Sequence, residues 1–349
     1  MSKRTACALY FAVLALPALA QTGAPPSSAE PGQEAHPAAA AAAPELAEAP
    51  TQIVVSGRRP GPGVWKVSKG EHVMWVFGIY SPLPAKMEWD ASRVERLVAG
   101  SQEVLTPPGA NGHVGFFRGI TLLPSLVGLK KNPDGAQLRD VVPADVYARW
   151  TGLKEKYLGD DDGVERYRPI FAGQELRQAG MKKNGLATSV QVVKAIEDIA
   201  RKNKVKVSKT GFEFDVEEPR KMIQEFKKQQ MDDVACFTKT LDSIDGDLDA
   251  MRARANAWAN GNIAEIRSVN FTEREDACNN AILNSSVARN NAQFQDMPGR
   301  LRAAWLQSAE KSLAGNASTF AILQMKDILG ERGYLADLAA KGYTVESPR

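Results

Sequence analysis

The stretch His72–Pro84, HVMWVFGIYSPLP, constrains the fold more than any other. Val73, Trp75 and Phe77 alternate with Met74, Val76 and Gly78, so most of both faces is apolar. A strand apolar on both faces is a central strand, with layers packed above and below it. Gly78 permits a sharp change of direction, and Pro82 and Pro84 end ladder pairing because they lack an N–H. Residues 79–81 are therefore expected just past the carboxyl end of a strand, where α/β folds gather their chemistry.

The flanking residues extend this frame. Trp65–Ser68 and His72–Phe77 enclose Lys69-Gly70-Glu71, which reads as a hairpin. Ser92 and Glu95 have capping-box spacing for a short helix through Val94, Leu97 and Val98, stopped by Gly100. Glu103–Thr106 returns as a strand. Gly115–Leu129 is apolar but interrupted by Gly119, Pro124 and Gly128. Val146, Trp150, Leu153 and Tyr157 mark one face of a helix over Pro143–Leu158. A further helix carries Val192, Val193, Ile196 and Ile199, with Thr188 and Gln191 as its expected cap. The basic run Arg201–Lys209 reads as a solvated strand that Phe212–Val216 closes.

From Pro219 the chain turns helical, and helix-spaced apolar residues predict a helical insert over about 217–315. Gly246 separates two of its helices, and further helix through Ala281–Leu283 and Leu301–Leu313 is expected, broken at Pro298-Gly299. The last segment mirrors the first. Thr319–Leu323 is a strand, Gln324–Asp327 a polar turn, Leu335–Ala339 a helix, and Tyr343–Val345 a strand. The expected fold is α/β: a mixed central sheet formed by strand-turn-helix-strand repeats at the two ends of the chain, with the helical insert between them.

Met1–Ala20 reads as a secretory signal peptide, with Lys3 and Arg4, an apolar run from Ala6 to about Leu16, and the small-residue end Ala18-Leu19-Ala20. Residues 21–61 are rich in Ala, Pro, Glu and Ser and read as a disordered tether before a domain over 62–349. Ile53-Val54-Val55 is a short apolar island within it. The formal charge is +3, of which Lys3 and Arg4 supply two, so charge gives no reason to expect nucleic acid as a partner. No second long apolar run would hold the protein in a membrane, and a periplasmic or secreted location is expected. Export leaves two cysteines, Cys236 and Cys278, for which a disulfide is expected over two buried thiols.

Three segments carry a resemblance to a known family. They are Pro60–Pro84, Ala257-Trp258-Ala259-Asn260-Gly261-Asn262, and Gly330-Glu331-Arg332-Gly333-Tyr334-Leu335 with Lys341-Gly342-Tyr343-Thr344-Val345. Together they resemble the TraB/GumN family, related to the Tiki-type metal-dependent peptidases. The resemblance implies two Gly-x-x-His motifs whose histidines bind metal. In the first, Gly78 is present but Ser81 stands in place of histidine. In the second, Gln324 replaces the glycine and Asp327 the histidine, before Gly330. Glu213 matches a strand-end glutamate of the family. The family's early acidic position falls near Thr106, with Glu103 the nearest carboxylate.

A hydrolytic metal site needs about three converging donors and an open position. The three histidines, His36, His72 and His113, sit in none of the motifs that supply them. Glu213, Asp327 and Glu103 are the candidate oxygen ligands for a divalent metal; otherwise Asp327 caps a helix and Glu213 faces solvent. Ser81 has no nucleophile motif around it and reads as a turn residue before Pro82. Asp160–Asp162 and Asp245–Asp249 lack calcium-loop spacing and read as caps and solvated turns. No cofactor is expected. The expected function is a catalytically degenerate peptidase-like binding or accessory module of the cell envelope, with a protein, peptide or envelope ligand. The alternative is a metal-dependent hydrolase with a carboxylate-based site.

Overall fold

The computed structural model describes residues 61–86, 89–245, 248–267, 273–330 and 333–348. The expected signal peptide, nearly all of the tether with its Ile53–Val55 island, and Gly246 lie outside them. Strands β1 (Val64–Lys69) and β2 (His72–Ile79) form the expected hairpin. A two-residue strand, β3 (Leu83–Pro84), follows, then helix α1 (Ser92–Ala99), β4 (Glu103–Leu105) and β5 (Gly109–His113). Helices α2 (Phe116–Leu126), α3 (Leu138–Val141), α4 (Ala144–Tyr157) and α5 (Pro169–Lys183) lead to β6 (Leu186–Ala187) and α6 (Val190–Lys202). Strands β7 (Lys206–Ser208) and β8 (Gly211–Asp215) precede the helices α7 (Pro219–Lys228), α8 (Val234–Asp245), α9 (Leu248–Ala259), α10 (Ile263–Arg267), α11 (Glu273–Leu283), α12 (Ser286–Arg289) and α13 (Met297–Gly315). The end of the chain is β9 (Ser318–Gln324), α14 (Met325–Leu329), α15 (Tyr334–Ala340) and β10 (Thr344–Glu346).

The main sheet has the order β10-β1-β2-β9-β4-β7. β2, β9, β4 and β7 are parallel neighbours, while β1 runs antiparallel to both β2 and β10, so the sheet is mixed. Both ends of the chain meet in it, as expected. Val76 and Phe77 point to opposite faces, yet both are fully buried, so β2 is covered on both sides. Val94 and Val98 of α1, Ile196 and Ala200 of α6, and Trp305, Ala309 and Leu313 of α13 belong to the same core.

The helical part is larger than expected. Leu138, Trp150 and Leu176 form a second core with Phe237, Leu241 and Ile244, so helices before residue 217 pack with helices after it. Gly173 is what lets α5 approach α8, since a Cβ there would lie 3.1 Å from Phe237 and 3.4 Å from Thr240. Cys236 and Cys278 form the expected disulfide, joining α8 to α11 with Cα atoms 4.5 Å apart.

Several local expectations are corrected. The Ser92–Glu95 capping box does not form. α1 starts at Ser92 itself, and the Asp90 carboxylate just upstream accepts its N–H at 2.9 Å. Thr188 and Gln191 do not cap α6, because pairing of β6 with β3 fixes where the chain enters the helix, and the Ser189 carbonyl receives the N–H groups of Val192 and Val193. The basic strand is only Lys206–Ser208, since Arg201 and Lys202 end α6 and Lys204 adopts a left-handed turn at φ 59°. Phe212–Val216 does not close it. At Gly211 (φ 108°) the chain turns into β8, which pairs in parallel with β5 instead. A Cβ at Gly211 would sit on the Gly109 carbonyl, so the turn requires glycine. The expected helix over Leu301–Leu313 lies in α13, but Pro298-Gly299 falls in its first turn rather than ahead of it, as proline there costs no hydrogen bond. The run interrupted at Gly119 and Pro124 is one helix, α2.

Candidate functional site

Parallel pairing of β2 and β9 aligns Gly78 with Leu323 and Ile79 with Gln324. The segments following both strands therefore leave the sheet side by side. Glycine at position 78 leaves room for close packing. A Cβ there would lie 2.8 Å from Met325 Cε, 2.9 Å from its Sδ and 3.2 Å from Ile328 Cδ1. The missing side chain is the space into which α14 settles against β2. The Gly78 carbonyl accepts the Trp258 indole N–H at 2.7 Å in a buried hydrogen bond. Trp258 in turn meets Phe77 and Trp89 edge-on, with ring centroids 6.0 and 5.7 Å apart. A cleft beside this aromatic group is lined by Leu83, Trp89, Thr188, Gln191 and Trp258. Beyond Gly78, Tyr80 is buried and Ser81 is half-buried before Pro82.

Asp327 lies in the first turn of α14, not at the cap of the next helix. Burial pushes its carboxyl above the usual carboxylate range; Glu275 adds to this, while Lys326 and Arg302 oppose it. The Lys326 ammonium is 2.6 Å from Glu275 Oε2. Arg302 pairs with Asp337 at 2.6 Å and lies over the Tyr334 ring. Burial and the neighbouring Asp327 charge push the Tyr334 hydroxyl up to about 12. On the α11 side, Arg274 is 3.8 Å from Glu275. Arg177 reaches in from α5, and burial followed by the Arg274 charge lowers it to about 10. Sequence reasoning missed Arg177, Arg274 and Glu275. No spacing in the chain links residues on three helices and two strand ends; only the packing does.

The other carboxylates lie elsewhere. Glu103 pairs in register with Thr319, at the start of β9, whereas Asp327 lies beyond its end. The buried Glu103 accepts hydrogen bonds from Lys206 (2.6 Å), Ser208 (2.5 Å), Ser312 (2.7 Å) and Asn316 (3.0 Å). Burial alone would raise its pKa, but these four donors outweigh it and hold the carboxyl down at about 2. Glu213 sits on β8 with its side chain largely exposed, 3.1 Å from His113 Nε2. Gly330 follows α14, and its N–H closes that helix on the Lys326 carbonyl. Glu103, Glu213 and Asp327 thus occupy three separate places and do not converge as the donor set a divalent ion needs. Among the described residues no group of three His, Cys, Asp or Glu side chains is placed to hold a metal. The first acidic turn behaves as read, with Asp161 accepting the Gly163 N–H and Asp162 pairing with Lys154; of the second, Asp245 ends α8 near Arg149, and Gly246-Asp247 lie outside the described residues. No helix among the described residues is long and apolar enough to cross a membrane.

A family model, described as the TraB/PrgY/gumN family, matches residues 63–347. Comparison with curated proteins and with solved structures returned no match.

Proposed function

The chain belongs to the TraB/PrgY/gumN family, and from that premise we propose that it is an exported, catalytically degenerate member acting as a binding or accessory module of the cell envelope. The observation that carries this reading is the contrast at the ends of β2 and β9. The packing that builds the strand ends is kept: Gly78 receives α14, and Trp258 bonds to its carbonyl. The positions that would face a reacting group have changed: Ser81 and Asp327 stand where the resemblance places histidines. Asp327 feels the charges of Lys326, Glu275 and Arg302, and among the described residues no group of three His, Cys, Asp or Glu side chains is placed to hold a metal. A scaffold kept with its reactive positions altered fits a protein that retains a cleft and a ligand but not the chemistry.

Two features support export. The basic, apolar and small-residue order of Met1–Ala20 is that of a secretory leader. The Cys236–Cys278 disulfide fits an oxidising compartment, periplasmic or extracellular.

A second reading, a metal-dependent hydrolase, is favoured by one observation: Asp327 still sits at the strand ends, half-buried and with a raised pKa. Elemental mass spectrometry on residues 21–349, purified without chelator or affinity metal, separates the two. The binding-module reading expects a folded protein without stoichiometric metal. About one equivalent of zinc, manganese or calcium, lost in Asp327→Ala, would replace it with the hydrolase.

A further inference from the structure

We propose that Arg177, Arg274 and Lys326 form a binding site for an oxyanion, a carboxylate or phosphate group of the ligand, at the carboxyl ends of β2 and β9. The inference rests on the reading above that the protein binds a ligand, and it names that ligand's chemistry.

The argument starts from a donor with nothing to donate to. The Arg177 Nε is buried and has no hydrogen-bond partner among the described residues. A guanidinium carries five donors and keeps its charge, so burying one without an acceptor is costly. Its neighbours do not supply an acceptor. Arg274 repels it, and Glu275, whose charge favours it, makes no hydrogen bond to its Nε: one Glu275 oxygen lies 2.6 Å from Lys326 and the other 3.8 Å from Arg274. Asp327 lies in the first turn of α14, beside Lys326, and forms no ion pair with either arginine. Asp276, whose charge is also felt by Lys326, is exposed. Arg177 thus buries a donor without an acceptor, and the Arg274–Glu275 separation of 3.8 Å is too long for a hydrogen bond, so two neighbouring guanidinium groups have donors that an incoming oxyanion would satisfy.

The fold holds these cations in place. Gly173, one turn before Arg177, packs on Phe237 and Thr240 of α8. Cys278, one turn after Arg274, is bonded to Cys236 of that same helix. α8 is therefore a strut that fixes the two arginine-bearing helices relative to one another. Lys326 stands in α14, directly after β9, and Tyr80, one residue past β2, is close enough to influence Arg177, so the cluster lies by the strand ends. Planar guanidinium groups match carboxylate and phosphate oxygens in paired hydrogen bonds, and such charge-assisted bonds are the strong ones.

The test is titration of the purified chain with inorganic phosphate and, separately, with acetate, at constant ionic strength set by chloride. Melting temperature and calorimetry are the readouts. The expected result is a saturable rise in melting temperature with at least one anion, weakened about tenfold in apparent affinity by Arg177→Gln and by Arg274→Gln. Because Arg274 is partly exposed, its variant serves if Arg177→Gln does not fold. A response to acetate alone would identify a carboxylate, and a response to phosphate alone a phosphate. No saturable response to either, or one that both variants leave undiminished, would overturn the site. Metal content on the same preparation keeps the two claims apart. Bound metal with an intact anion response would overturn the binding-module reading and leave this site. No metal and no anion response would do the reverse.

Discussion

Glu103→Gln should separate a structural carboxylate from a functional one. In the native protein the Glu103 pKa falls from 4.5 to about 2. Its side chain is only 11% exposed, so solvent screens the interaction little. A depression of that size stabilises the fold by about 3 kcal/mol at pH 7. Because the folded pKa is the lower one, this stabilisation is complete above about pH 4.5 and is lost as pH falls towards 2. Linkage puts the loss at about 2 kcal/mol by pH 3. Glutamine keeps the size of the side chain but carries no charge at any pH. Urea unfolding at pH 7, 5 and 3, followed by circular dichroism, should therefore show wild type more stable by about 3 kcal/mol at neutral pH, with the gap shrinking mainly below pH 5. The gap should not respond to chelator, since Glu103 is bonded to Lys206, Ser208, Ser312 and Asn316. A gap of the same size at pH 7 and pH 3 would refute the reasoning, and so would one that chelator abolishes.

Two further substitutions probe the frame of the site. Cys278→Ser opens a loop with a sequence separation of 42 and should cost about 4 kcal/mol on the chain-entropy model. Reductant should destabilise wild type but not the variant in denaturant titrations, and equal sensitivity of the two would contradict the assignment. Trp258→Phe removes the indole N–H that bonds the buried Gly78 carbonyl, so about 1–3 kcal/mol of stability should go. A change within about 0.5 kcal/mol would mean that water or another donor takes its place.

Elements that one short stretch specifies were legible in the sequence. The β1–β2 hairpin, the doubly buried β2, the β9 and β10 strands and the disulfide partners follow from alternation, turn glycines and the number of cysteines. Helix entry was less legible. A capping box is an offer that a neighbouring residue can pre-empt, as Asp90 does for α1. β5 escaped detection because Gly109-Ala110-Asn111-Gly112 has no strand-like side chains. It is a strand only because β8 lies alongside it.

The sequence by itself determined that two apolar strands would sit in one α/β sheet, that a glycine would stand near the end of the first, and that histidines would be missing from both motif positions. These are properties of single residues and of short periodic runs. The tertiary structure decided what replaced them. Parallel pairing of β2 with β9 puts Gly78 against α14, and packing of α5 and α11 on α8 brings Arg177 and Arg274 to the same strand ends. It also sent Glu103 to the opposite end of the sheet, where four donors hold it ionised. A side chain's charge is written in the sequence, but the company it keeps depends on contacts between residues far apart in the chain, and only folding makes those.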